Sequence, residues 1–318
     1  MKLFIDRLIE QIEAKDSRIC VGLDPHPDML PRFLIEKYQA KYDDLTQATA
    51  AAVLEFNINL IDAIADITPA VKPQSAFYEI LGLAGKKALY KTIEYAKAKG
   101  LIVILDAKRN DIGSTAAAYA GAYLGFEGSG KELAESADKE ELFLKSELEV
   151  DCLTINPYFG LDGVEPFLRR KDRGAFALVK TSNQSGGEIQ DLELKDGSKV
   201  YQQVGALVSE WSQQVKGEYG YTNLGAVVGA TYPEELEELR EKMSDIFFLI
   251  PGFGFQGGKA EDIVYGFDKE KRGAVVNSSR GINFAFRRSD EFTAEEYAEA
   301  AQTAAVKMRD EINELLNN

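Results

Sequence analysis

The sequence predicts an α/β chain folded as one (β/α)₈ barrel over residues 1–318. First, eight short apolar runs recur, at 18–23, 70–72, 101–105, 152–155, 175–179, 224–228, 247–250 and 274–276. Most are rich in Val, Ile, Leu or Phe without polar alternation, as strands buried on both faces of a parallel sheet are. Second, helical periodicity lies between them, at 46–65, 78–98, 201–214, 233–243 and 294–316. Strands alternating with helices imply βαβ units. Third, polar residues gather where the apolar runs end. Eight units point to a closed TIM barrel, and an open doubly wound sheet is the structural alternative.

The elements follow in chain order. Phe4, Leu8 and Ile12 recur at helical spacing and predict an extra amphipathic helix ahead of strand 1. Asp6, Arg7, Glu10 and Glu13 interrupt it too often for a signal peptide. The highly charged stretch 127–149 is an insertion after strand 3 and predicts an added helix. A second insertion, 183–200, carries Gly186, Gly187 and Asp196-Gly197 with Leu192 and Leu194 in alternation, and reads as a hairpin or lid after strand 5. No repeat or linker divides the chain.

Composition narrows the function. The net charge of −15 repels nucleic-acid backbones and anionic membrane surfaces, but leaves room for a small anionic substrate held by a few placed cations. Cys20 and Cys152 sit inside apolar runs and read as buried free thiols, not as a disulfide or zinc site. His26 is the only histidine, which removes His-based metal clusters and any Ser-His-Asp triad not built on it. The longest uncharged stretch, 112–126, is shorter than the ~18 apolar residues of a membrane span, so a cytoplasmic protein is expected.

In such barrels the reacting groups stand at the C-terminal ends of the strands. Here those ends carry Asp24, Lys72, Asp106-Ala107-Lys108-Arg109-Asn110-Asp111-Ile112, Lys180-Thr181-Ser182, a Gly-rich loop from Pro251 to Gly258, and Ser278-Ser279-Arg280. One charged residue after a strand is usually only where the chain meets water; six such ends at one mouth point to a site. Asp106 and Lys108 are two apart, so an extended backbone points them the same way. With Asp111 they form an acid–base–acid array whose carboxylates hold a lysine cationic. The glycine-rich loop after strand 7 lets backbone N–H groups approach an anion. Arg280 at the next strand end adds a planar fork for phosphate oxygens.

Together these residues resemble the orotidine 5′-phosphate decarboxylase family. Its D-x-K-x-x-D-I signature is matched by Asp106, Lys108, Asp111 and Ile112, with Thr115 following. The resemblance runs from Gly22-Leu23-Asp24 to Ser279-Arg280. It is nearest the longer bacterial subgroup, with Thr154-Ile155-Asn156-Pro157-Tyr158 and Lys180-Thr181-Ser182-Asn183 after strands 4 and 5. The resemblance implies decarboxylation of orotidine 5′-phosphate to UMP without a cofactor or metal. It implies that Asp24 and Lys72 contact the ribose and that Lys72, Asp106, Lys108 and Asp111 form a charged network with Lys108 as proton donor. Ser182 would read the pyrimidine edge, and Gln256 and Arg280 would hold the phosphate beside the loop that begins at Pro251. A homodimer is also implied, in which Asp111, Ile112 and Thr115 reach into the neighbour's site. Two other readings stay open. Mg²⁺-dependent sugar-phosphate decarboxylases or synthases of the same superfamily share the Asp106, Lys108 and Asp111 pattern, but place a glutamate ligand where this chain has Lys72. A catalytically silent phosphate-binding barrel is the other.

Overall fold

A period-two alternation runs through the strands and decides what faces the barrel axis. The computed structural model describes residues 2–125, 146, 148–213, 216–252 and 260–318. Its strands are β1 (Ile19–Leu23), β2 (Ala70–Pro73), β3 (Ile102–Arg109), β4 (Cys152–Ile155), β5 (Gly174–Lys180), β6 (Leu224–Val228), β7 (Phe248–Pro251) and β8 (Ala274–Ser278). They pair in parallel, in sequence order, and close through β1 and β8, where Cys20 stands opposite Asn277. The closed barrel therefore replaces the open doubly wound alternative.

Cys20, Ala70, Ile102, Ile104, Cys152, Phe176, Val227, Leu249 and Val275 form one buried cluster inside the barrel. Their neighbours in sequence, such as Val21, Val71, Val103, Leu153 and Val276, belong to the second cluster, packed under the helices. Continuing the inward series by two residues reaches Lys72 from Ala70, Asp106 from Ile104, Thr154 from Cys152 and Asn277 from Val275. The alternation that fills the core thus delivers polar groups to the C-terminal mouth.

The helices are α1 (Phe4–Lys15), α2 (Arg32–Gln39), α3 (Leu45–Ile64), α4 (Ala76–Glu79), α5 (Gly82–Ala98), α6 (Gly113–Leu124), α7 (Gly187–Gln190), α8 (Val200–Trp211), α9 (Pro233–Lys242), α10 (Arg280–Asn283) and α11 (Tyr297–Asn317). The expected N-terminal helix is α1. Its buried Phe4, Ile5, Leu8, Ile9 and Ile12 join the interior cluster, with the Phe4 ring edge-on to Phe176 at 6.4 Å. Each such side chain contributes about 1.5–3 kcal/mol by leaving water. This helix therefore stoppers the N-terminal end and leaves the other mouth for chemistry.

The boundaries correct several expectations. The helix expected over 78–98 is two, α4 and α5, because Gly82 takes a left-handed φ of +57° that ends one and opens the other. The last helix starts at Tyr297, after a short α10 and a 3₁₀ turn, and α2 was not anticipated. Strand β3 runs on to Arg109, four residues past the apolar run. The 183–200 insertion is part helix and part hairpin: a 3₁₀ turn and α7 precede an isolated antiparallel bridge between Glu193 and Lys199. The 127–149 insertion lies almost wholly outside the described residues. Among the described residues, no helix is long and apolar enough to cross a membrane.

Candidate active site

Asp106 is the hinge of the mouth. Its carboxylate is buried and accepts hydrogen bonds from Lys72 Nζ at 2.9 Å, Lys108 Nζ at 2.6 Å, Gln74 Nε2 at 2.9 Å and Thr154 Oγ1 at 2.9 Å. Lys72 comes from the inward series of β2 and is buried too, whereas the Lys108 side chain is about 46% exposed to the cavity side. One buried carboxylate thus carries one buried and one accessible ammonium.

Plain extended geometry does not produce this arrangement. The β3–β4 pairing shifts register between Leu105 and Arg109, and Lys108 sits at a left-handed φ of +47°. Thr154 holds the distortion, its Oγ1 accepting from the backbone N–H of Ala107 at 3.1 Å and of Lys108 at 3.0 Å. A non-glycine residue in that region costs on the order of 1 kcal/mol, which the surrounding bonds must offset. Arg109 fastens the outer side, donating to Ala107 O at 3.0 Å and Glu79 at 2.7 Å.

Burial works against both charges, and their neighbours outweigh it. Lys72 and Lys108 hold the Asp106 carboxyl well below the usual carboxylate range. Asp106 and Asp24 hold the Lys72 ammonium above the usual lysine range. A carboxyl depressed below 3.8 contributes stability above that pH, and the contribution is lost as pH falls toward the folded value. A lysine raised above 10.5 contributes below that pH and loses the contribution as pH rises further. At neutral pH the pair keeps both charges.

A cavity of about 430 Å³ opens over these groups, within the usual range for small-molecule sites. Asp24, Lys72, Asp106, Lys108, Ser182, Pro251 and Arg280 all line it, as the sequence led us to expect. Asp24 Oδ1 is buried without a hydrogen-bond partner among the described residues, an acceptor suited to a ligand hydroxyl. Arg280 reaches the rim because Gly22 lets the turn after β8 fold over β1: a Cβ there would stand 1.9 Å from Ser279 Oγ. Gln256 lies outside the described residues.

Three expected residues do not join this cavity within one chain. Asp111 accepts from the N–H of Ile112 at 2.8 Å and does not line the cavity; neither do Ile112 and Thr115, which are exposed at the start of α6. The acid–base–acid array read from spacing is therefore not closed in the single chain. Conversely, His26, Gln74, Phe77, Thr154 and Asn277 line the cavity and were given no role from sequence. Thr154 and Asn277 had a readable signal, since they continue the inward series of β4 and β8. His26 packs on Phe77, ring centroids 4.0 Å apart, and burial with the Arg280 charge nearby lowers its pKa. Cys20 is a buried free thiol, pushed up to about 12 by burial, and Cys152 is buried and free as well. Among the described residues, no three His, Cys, Asp or Glu side chains cluster as metal ligands.

The chain resembles known proteins over nearly its whole length. Residues 17–292 match the Orotidine 5′-phosphate decarboxylase / HUMPS family. The chain is 44% identical to Orotidine 5′-phosphate decarboxylase of Rhodopirellula baltica, across 98% of this chain and 99% of that one. It is 38% identical to the protein of that name from Clostridium tetani, across 99% and 100%. Among solved structures it resembles Leishmania donovani OMP decarboxylase, with a TM-score of 0.71 and 30% identity, covering 99% of this chain and 100% of that one. With a family match over most of its length and full-length relatives of this similarity, the chain belongs to the orotidine 5′-phosphate decarboxylase family of enzymes.

Proposed function

We propose that the protein decarboxylates orotidine 5′-phosphate to UMP, the last step of de novo pyrimidine nucleotide synthesis, using only its own side chains. The observation that carries this reading is the Lys72–Asp106–Lys108 chain of hydrogen bonds at the cavity floor. Loss of CO₂ breaks the C6–carboxylate bond and leaves its electron pair on C6. Lys108, the accessible ammonium, stabilises that charge as it develops and delivers a proton from Nζ to C6, then regains one from water. Asp106 faces the departing carboxylate. Two like charges ~4 Å apart repel by about 4 kcal/mol at an effective dielectric near 20. A barrier reduction on the order of 20 kcal/mol is needed for the slowest reactions, so repulsion is the smaller part. Asp24 and Lys72 hold the ribose, Ser182 reads the pyrimidine edge, and Arg280 with Gln256 holds the phosphate. That remote binding energy is expressed in the transition state when it drives closure of the site.

The functional unit in this reading is a homodimer. Asp111, Ile112 and Thr115 stand at the rim, outside their own cavity. Ile80, Leu83, Tyr158, Phe159 and Leu161, on the connections after β2 and β4 that flank them, are exposed large apolar residues. An apolar rim beside an incomplete charge array supports a neighbouring copy that supplies Asp111.

The Mg²⁺-dependent reading is disfavoured by Lys72, whose ammonium bonds Asp106 where that chemistry needs a metal-ligating carboxylate. Purified protein is expected to decarboxylate orotidine 5′-phosphate at an undiminished rate in excess chelator. A strict requirement for Mg²⁺ would favour the sugar-phosphate enzymes instead. Arg280→Ala is expected to raise the KM of the nucleotide by roughly 100-fold, as loss of a charge-assisted bidentate contact does. Phosphate-free orotidine should be affected little. An equal loss on both would show that Arg280 does not hold the phosphate.

A further inference from the structure

Phe176 and Leu178 of β5 face the barrel interior, so strict alternation would place Lys180 in the cavity. It is not there. The β5–β6 register shifts between Leu178 and Lys180, and Lys180, only 3% exposed, turns outward under the helical layer. Its ammonium pairs with Asp191 just after α7 and, at 3.1 Å, with Glu235 of α9. The Tyr201 ring of α8 lies 4.6 Å from it. The next two residues, Thr181 and Ser182, return to the cavity wall.

The same insertion grips that wall a second time. Gln190 Oε1 accepts from the N–H of Thr181 at 3.0 Å, and its Nε2 donates to Thr181 Oγ1 at 2.7 Å. The Lys180 carbonyl accepts from the N–H of Gly229 at 2.9 Å. A buried ion pair is a poor source of net stability, because desolvation offsets much of the attraction; what it supplies is a unique register. We infer that Lys180 is a positioning residue: by locking the shifted end of β5 against Asp191 and Glu235, it aims Ser182 at the pyrimidine edge without touching the substrate. The inference rests on the proposed function. It gives the insertion after β5 a task as a fixed brace.

The test is a double-mutant cycle on kcat/KM for orotidine 5′-phosphate. Ser182→Ala and Lys180→Met are each expected to lose about tenfold, the worth of one substrate hydrogen bond, mainly through KM. The double variant should be no worse than Ser182→Ala alone, since both changes remove the same contact. Asp191→Asn, which weakens the clamp at a half-buried partner, should lose roughly threefold and again add nothing to Ser182→Ala. This milder variant keeps the test decisive if Lys180→Met fails to fold. Losses that multiply, or a Lys180→Met enzyme indistinguishable from wild type, would overturn the inference and leave Lys180 merely structural. A wild-type protein silent on orotidine 5′-phosphate would overturn the functional reading and this inference with it.

Discussion

Lys108→Ala is expected to lower turnover of orotidine 5′-phosphate by at least about 10⁴-fold while leaving the fold intact. A positioned proton donor is worth roughly 10²–10⁴ in rate, and an aimed charge on the developing carbanion a further ~10²–10³. One lysine supplies both here. Its side chain is nearly half exposed, so its pair with Asp106 contributes at most about 1 kcal/mol to stability. The melting temperature should therefore move by no more than a few degrees. Lys108→Gly provides a second arm, because glycine accepts the left-handed φ of +47° without strain. It should be equally inactive and no less stable than the alanine variant. Near-normal turnover in either would remove Lys108 from the chemistry.

Mixing two dead enzymes is expected to revive one site. Lys108→Ala and Asp111→Ala should each be inactive alone. If Asp111 acts across the dimer, a mixed dimer carries both defects in one site and neither in the other. Each heterodimer then regains about half the activity of a wild-type dimer, assuming independent sites. The geometry behind this is that Asp111 is turned to the N–H of Ile112 and lies outside its own chain's cavity. Heterodimers that demonstrably form and stay inactive would place Asp111 in its own chain's site.

Much of the architecture was legible because barrel strands carry their instructions locally. Apolar runs located all eight strands, and the polar groups at the ends of six of them located the mouth. The boundaries were less legible, for physical reasons. Periodicity reads through Ile80, Leu81 and Gly82 as if helical, yet a left-handed glycine splits the segment into α4 and α5. Spacing rightly joined Asp106 to Lys108 but gave the wrong cause. Their contact depends on a register shift held by Thr154, a long-range hydrogen bond that no local pattern encodes. Lys180 shows the same limit, since its outward turn follows from partners on two distant helices. Asp111 was linked to the charged network by proximity in sequence, and one chain alone does not bring it there.

In the proposed reaction Lys72, Asp106 and Lys108, completed by Asp111 from a neighbouring copy, remove CO₂ from orotidine 5′-phosphate without a metal or cofactor. The most direct measurement mixes excess purified protein with substrate labelled in its carboxylate, in chelator, and follows label release and UMP together. Wild-type protein should release one labelled CO₂ for each UMP formed, and Lys108→Ala should release it at least about 10⁴-fold more slowly. A silent wild type, or a Lys108→Ala protein that releases label at a similar rate, would show that this network does not carry out the decarboxylation.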